Sequence, residues 1–240
     1  MTYCVGLLLK AGLVLLSDTR TNAGLDNISI YRKMFTFEQP GERVIVMLTA
    51  GNLSVTQTTL ARLSEAIDAP DATPETSIML TENMLDVATL VGDMLSRVTA
   101  ETKARMDRMS QMATATMIVA GQRKGGRMRL FLIYPEGNFI EATEDTPYLQ
   151  IGEHKYGKPI LDRVITEDTP LEEARKAVLL SMDSTIRSNL SVGMPLDLVV
   201  IETDALRITE QRRIEANDED FAAMSAAWSQ ALRDAFTQIG

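Results

Sequence analysis

The sequence predicts an α+β fold, a four-layer αββα sandwich of two antiparallel sheets, forming one domain over residues 1–240. Three observations lead there. The elements come in segregated runs: strands, two helices, strands, a helix, strands, a helix. The first quarter reads as strands joined by short turns, a connection that only antiparallel neighbours permit. Each helical segment carries an apolar stripe, so each sheet has one face for the other sheet and one for helices. The chain has 240 residues, 45% hydrophobic and 24% charged, enough apolar mass for one large core.

In order along the chain, residues 2–9 and 13–18 are short runs rich in Val and Leu, with Lys10-Ala11-Gly12 between them as a turn, so they read as a β-hairpin. Residues 19–31 are polar and rich in Gly and Asn, and read as a loop. Residues 32–38 and 42–50 form a second hairpin turned by Pro40-Gly41. A helix follows over 53–67, with Asn52 as its N-cap. Beyond the loop DAPDATPET, residues 77–110 place Met79, Leu80, Met84, Leu85, Val87, Val91 and Leu95 on one helical face, which is core packing and, through its Met side chains, suits a neighbouring subunit. Strands return at 113–121 and 127–134 around the tip RKGGR, with a third near 138–143. Residues 170–187 are a helix opened by a capping box at Thr169-Pro170-Leu171-Glu172. The stretches PLDLVVIE and LRITEQRRI are strands, and 218–237 is a last amphipathic helix.

Composition excludes several functions. A net charge of −9 and a pI near 4.8 repel phosphate backbones and acidic membrane surfaces. The single cysteine, Cys4, has no intrachain partner and suits a reducing, cytoplasmic setting as a small buried hydrophobe. The apolar start has no basic leader, is interrupted by Lys10, and falls short of the roughly 20 residues of a membrane helix. RKGGR lacks the Ser/Thr and helix of a phosphate loop. There is no zinc-type Cys/His cluster and no dinucleotide fingerprint, so no metal or cofactor is expected. His154, the only histidine, reads as a loop residue or hydrogen-bonding spacer.

The chemistry gathers at the first hairpin. With its turn centred near Ala11, residues pair where their numbers sum to about 21 or 22, and the partner of Thr2 falls near Thr19 or Arg20. Asp18 and Arg20 therefore lie beside Thr2 at one end of the sheet. Removal of Met1 gives Thr2 a free α-amine, whose ordinary pKa of about 7.7–8.0 makes it a base near neutral pH. A threonine with its own amine is a nucleophile–base pair. A neighbouring cation lowers that amine further, and a carboxylate holds the cation. Lys33 is the natural cation and Asp18 the natural holder. Gly51, between a strand and a helix N-terminus, offers an N–H to an oxyanion without a Cβ in the way. By position, Thr21, Tyr31, Thr49 and Leu53 line a mixed to apolar substrate pocket.

The ordered stretches TYCVGLLLKAGLVLLSDTRTNAG, YRKMFTF and VIVMLTAGN resemble the proteasome-type β-subunit family of N-terminal nucleophile hydrolases. Within it, SDTRTNAG, YRKM, YLQIGEHKYGKPILDR and SMDSTIRSNLSVG are most similar to the bacterial Anbu, or ancestral β-subunit, branch. The resemblance spans essentially the whole chain. It implies amide hydrolysis through an acyl-enzyme on Thr2, with Asp18, Arg20, Lys33 and Gly51 in the family's roles, acting on a peptide or protein. It also implies self-assembly into a homo-oligomeric ring or open spiral, and names no unfoldase partner. Two sites depart from the family. Where it carries Gly-Ser-Gly, this chain has Ile151-Gly152-Glu153-His154, which puts Glu153 in place of the serine that supports the amine. A carboxylate there raises the amine's pKa, so weak peptidase activity is expected. Where the family has Asp-x-x-Ser-Gly, RSNLSVG offers Asn189 and Ser191, with Asp183 one helical stretch earlier. The alternatives are a non-peptidase amidohydrolase and a structural or binding subunit that assembles without cleaving; an intact Met1 favours the latter.

Overall fold

A computed structural model of the chain describes residues 1–22, 28–106 and 113–239. Two five-stranded antiparallel sheets face each other. The first has the order β10-β1-β2-β11-β12, with β1 (Tyr3–Leu9), β2 (Gly12–Asp18), β10 (Tyr148–Gly152), β11 (Leu196–Glu202) and β12 (Glu210–Ile214). The second runs in sequence order through β5 (Met34–Gln39), β6 (Arg43–Gly51), β7 (Ala115–Arg123), β8 (Arg129–Ile133) and β9 (Phe139–Glu141). Helices α1 (Leu53–Asp68) and α2 (Met84–Met106) cover the second sheet, while α3 (Lys158–Val164), α4 (Leu171–Ser188) and α5 (Glu219–Gln238) lie on the side of the first.

The four layers enclose three apolar cores, which explains why the strands read as unbroken hydrophobic runs. Along β1, Tyr3, Val5 and Leu7 point to the helices and join Val178 and Met182 of α4. Cys4, between them, points to the other sheet with Leu13, Leu15, Val46 and Leu48. The Met-rich stripe of α2 packs Val87, Val91 and Leu95 onto Met47, Val119 and Phe131. With both faces covered, alternation of apolar and polar residues is lost. No described helix is long and apolar enough to cross a membrane.

The structure corrects several boundaries. The loop expected over 19–31 contains a two-stranded ribbon, β3 (Arg20–Asn22) with β4 (Ile28–Ile30), in which Thr21 faces Ser29; residues 23–27 lie outside the described residues. β-Branched Thr21 and Ile30 favour the extended form despite their polar neighbours. The helix expected over 77–110 starts only at Met84. The carbonyls of Ile78 and Thr81 are instead taken by the buried Arg43 guanidinium at 3.1 and 3.0 Å. The Asn83 carboxamide then caps the true start by accepting from the N–H groups of Leu85 and Asp86. Leu80, expected on the core face, is exposed in this turn, and residues 107–110 lie outside the described residues. The capping box at Thr169 does not form: its hydroxyl serves the preceding turn by accepting from Thr166 N–H at 2.9 Å, and Pro170 precedes α4 without a side-chain cap. The strand expected over 206–214 keeps only its second half as β12. Strand β10, the 3-10 turn His154–Tyr156 and α3 were not foreseen. Asn52 caps α1 as expected, accepting from Val55 N–H at 3.2 Å.

Candidate active site

One end of the sandwich collects four chain positions: the start of β1 at Thr2, the end of β2 at Asp18, the residue before β5 at Lys33, and the end of β6 at Gly51. Cys4 faces Ser17 across the hairpin, the register expected from its turn. That register sets Asp18 beside the β1 backbone, where its Oδ1 accepts from Tyr3 N–H at 3.1 Å.

Lys33 and Asp18 form a buried ion pair at 2.7 Å, with 6% and 0% of their side chains exposed. The ammonium also donates to the carbonyls of Arg20 at 2.6 Å and Met1 at 3.3 Å. The second Asp18 oxygen accepts from Gly193 N–H at 3.2 Å, in the loop between α4 and β11. Burial pushes the Asp18 carboxyl up from its ordinary value; Lys33 and the two backbone donors pull against that rise. The expected holder thus fixes the expected cation beneath the Met1–Thr2 peptide.

Thr2 is buried and lies in a cavity of about 380 Å³ with Met1, Thr21, Lys33, Thr49, Gly51 and Leu53. Its carbonyl accepts from Glu153 N–H at 2.7 Å. Gly152 makes that approach possible: its φ is +82°, and a Cβ there would lie 1.9 Å from the Thr2 oxygen. Gly51 has φ +107°, and a Cβ would meet the Thr114 carbonyl at 2.5 Å. Along this edge Thr49 N–H bonds toward Lys33 O and Asn52 N–H toward Thr114 O. Alternation therefore turns the Gly51 N–H to the Lys33 side, past the start of β5. The N-terminus of α1, two residues on, adds positive potential there.

The remaining candidates divide. Arg20 reaches away from Thr2: its guanidinium donates to Leu190 O at 3.0 Å and packs flat over Gly193, so it braces the loop that holds Asp18. Asn189 ends α4 close to the chain start, its amide 3.9 Å from the Met1 sulfur, and its carbonyl oxygen accepts from Ser191 N–H. Asp183 is elsewhere. It accepts from Ser225 Oγ at 2.7 Å and pairs with Arg187 at 3.1 Å, tying α4 to α5 because its position on the helix turns it toward α5. Tyr31 lines not the Thr2 cavity but the adjoining one, which shares Thr49 and Leu53 with it. His154 is exposed, its Nδ1 3.1 Å from Gly152 O.

Sequence reasoning missed the support beneath β1. The Tyr3 hydroxyl is 2.6 Å from Ser181 Oγ and accepts from Gln150 Nε2 at 2.6 Å, and burial raises its pKa above the ordinary phenol value. Only the polar Gln150 among apolar neighbours signals this in the sequence. Cys4 is fully buried against the Thr49 carbonyl, and burial likewise raises its thiol. Among the described residues no group of three or more His, Cys, Asp or Glu is placed to hold a metal ion.

A family model described as proteasome subunit matches residues 2–201. Among solved structures, the chain is similar to Anbu (ancestral beta-subunit) from Yersinia bercovieri, with 44% identity, a TM-score of 0.92, and coverage of 99% of this chain and 97% of that one. It is 50% identical to an Anbu (Gly-1) mutant from Hyphomicrobium sp. strain MC1, at TM-score 0.92 over 100% and 98% of the two chains. It is 46% identical to the protein in the helical assembly of the Anbu complex from Pseudomonas aeruginosa, at TM-score 0.92 over 99% and 97%. No curated protein matches.

Proposed function

The chain belongs to the proteasome subunit family, with Anbu proteins as its structural relatives, and from that membership we propose that it is a self-assembling threonine hydrolase of amide bonds in peptides. The observation that carries this reading is the buried Lys33–Asp18 pair aimed at the Met1–Thr2 peptide. While Met1 is attached, the Thr2 nitrogen is an amide and cannot act as a base. Removing Met1 turns it into an amine and releases the Lys33 donor now held by the Met1 carbonyl. The Lys33 charge then favours the neutral amine at neutral pH.

The steps follow from that arrangement. The Thr2 amine takes the proton from Oγ as Oγ attacks the substrate carbonyl. The Gly51 N–H donates to the resulting oxyanion; losing such a donor typically costs about 2.7–4 kcal/mol of barrier stabilisation. The intermediate collapses, the C–N bond breaks, and the leaving nitrogen takes the proton back from the Thr2 ammonium. The amine then takes a proton from a water whose oxygen attacks the ester carbonyl, and as the C–Oγ bond breaks the ammonium returns that proton to Oγ, which frees Thr2 and the acid. Asp18 holds Lys33 in place. Self-assembly is proposed by analogy with the helical assembly of the Pseudomonas aeruginosa relative.

The test is Thr2→Ala in assembled protein, assayed against a peptide panel, with intact-mass analysis of the unaltered protein. Loss of turnover to background, with a mature mass lacking Met1 and an electrophile adduct on Thr2, is expected. Turnover unchanged by the substitution refutes the mechanism. An intact Met1 with no turnover leaves an assembling, non-cleaving subunit.

A further inference from the structure

The peptide that joins Thr2 to Tyr3 is pinned at both edges. Its carbonyl accepts from Glu153 N–H at 2.7 Å, and its N–H donates to Asp18 Oδ1 at 3.1 Å. The same Oδ1 holds the Lys33 ammonium at 2.7 Å. One carboxylate oxygen therefore sets the start of β1 against the cation. None of these bonds fixes the Tyr3 Cα, about which the peptide plane turns.

The Tyr3 side chain supplies that anchor. It is fully buried under α4. Its hydroxyl oxygen accepts from Gln150 Nε2 at 2.6 Å, which leaves the phenol proton for Ser181 Oγ, also at 2.6 Å. Gln150 lies on β10 and Ser181 on α4, so the hydroxyl is clamped between two separate elements. Gly157 closes over the clamp: a Cβ there would lie 2.2 Å from Ser181 Oγ and 2.8 Å from the Tyr3 hydroxyl. Val5 and Leu7, next on the same face, are held by apolar contact alone. A phenylalanine would fill the ring's space without a buried hydroxyl to satisfy. The polar anchor thus stands only at the residue that follows the nucleophile.

We propose that Tyr3 is a positioning residue: its hydroxyl, clamped between Gln150 and Ser181, holds the Thr2–Tyr3 peptide so that the Thr2 nitrogen keeps its place beside the Lys33 charge. This rests on the hydrolase reading of Thr2. Without the hydroxyl the ring is free to turn and the Tyr3 N–H draws away from Asp18. Thr2 then moves off Lys33, and its amine returns toward the ordinary pKa of about 7.7–8.0.

The test uses assembled protein produced with Thr2 as its first residue, beside Tyr3→Phe, which keeps the ring and removes the hydroxyl. The Thr2 amine is titrated by competitive labelling with an acylating reagent, read by mass spectrometry, which needs no turnover. Tyr3→Phe is expected to raise the amine's midpoint by about 0.5 pH unit or more and to lower kcat on a peptide about tenfold with KM unchanged. The acid limb of the pH–rate profile should rise with the midpoint. The substitution alters none of the charged residues set around Thr2, namely Lys33, Asp18 and Glu153, so the shift reports position. Gln150→Met, which spares the bond to Ser181, should act in the same direction and more weakly, and it decides by the same readings if Tyr3→Phe does not assemble. A lowered denaturation midpoint with the amine midpoint and kcat unmoved makes the hydroxyl merely structural and overturns the proposal. Because the amine is titrated without turnover, the two ideas fail separately. A raised midpoint in a variant of a protein that cleaves nothing removes the hydrolase reading and keeps the positioning. Cleavage by both proteins at one rate and one amine midpoint removes the role of Tyr3 alone.

Discussion

Asp18 and Lys33 depend on each other, but unequally. Asp18 retains two backbone N–H donors if the ammonium is lost, from Tyr3 and Gly193. Lys33 retains only neutral carbonyls if the carboxylate is lost. Removing one member of a buried pair typically costs about 3–5 kcal/mol. Asp18→Asn is therefore expected at the upper end of that range and Lys33→Met at the lower, with the double variant costing less than their sum. The pH dependence has a definite sign. Burial already raises the Asp18 carboxyl, and loss of Lys33 raises it further. The folded Lys33→Met protein then binds a proton that the unfolded chain, with Asp near 3.9, does not. Its deficit should shrink as pH falls from 8 toward 5. Urea midpoints across that range check this, and a deficit that grows on acidification contradicts it. Asp18 was legible because a hairpin turn fixes pairing by arithmetic, and Lys33 because it is the cation that opens the next long strand. Asp183 was left open beside Asn189 and Ser191, because its surroundings depend on which face of α4 meets α5, a tertiary fact.

Elements were legible where their own residues decide them and obscure where distant ones do. Asn52 starts α1 through its own side chain. The late start of α2 is imposed by Arg43, 35 or more residues away, which takes carbonyls a longer helix would have used. Glycine in α2 makes the same point with opposite expectations. Local propensity says that Gly92→Ala gains about 1 kcal/mol of helix stability. A Cβ at Gly92, however, would lie 2.2 Å from the Gly137 carbonyl in the turn before β9. That atom is backbone and cannot swing aside. Gly92→Ala is expected to destabilise by about 1–3 kcal/mol, as overpacking does. A lowered denaturation midpoint supports the contact between α2 and that turn; a raised one means that propensity prevails and the contact is absent.

At the scale of the whole molecule, the order of strands and helices was enough to read four layers, because long apolar runs need cover on both faces. The position of β10 was not readable, since nothing local says that Tyr148–Gly152 returns to pair with β1. That return brings Glu153 onto the Thr2 carbonyl, so the site is finished by the last strand anyone would place. Gly6, midway along β1, leaves little room between the two sheets. A Cβ there would stand 2.9 Å from Leu130 Cδ1, 3.5 Å from Leu15 Cδ2 and 3.6 Å from Ile118 Cγ2. The nearest is the end of a side chain that can turn away. Gly6→Ala is thus expected within about 1 kcal/mol of the unaltered protein, since the lost contact is offset by a less flexible unfolded chain. Gly6→Val adds two methyls facing Leu15 and Ile118 as well, and is expected to cost about 1–3 kcal/mol. Because β1 carries Thr2 at its start, the strand's displacement by valine should also slow peptide turnover, while alanine leaves it nearly intact. Parallel denaturation and turnover assays decide this. If valine lowers stability and leaves turnover unchanged, the spacing of the sheets does not set the position of Thr2 over Lys33.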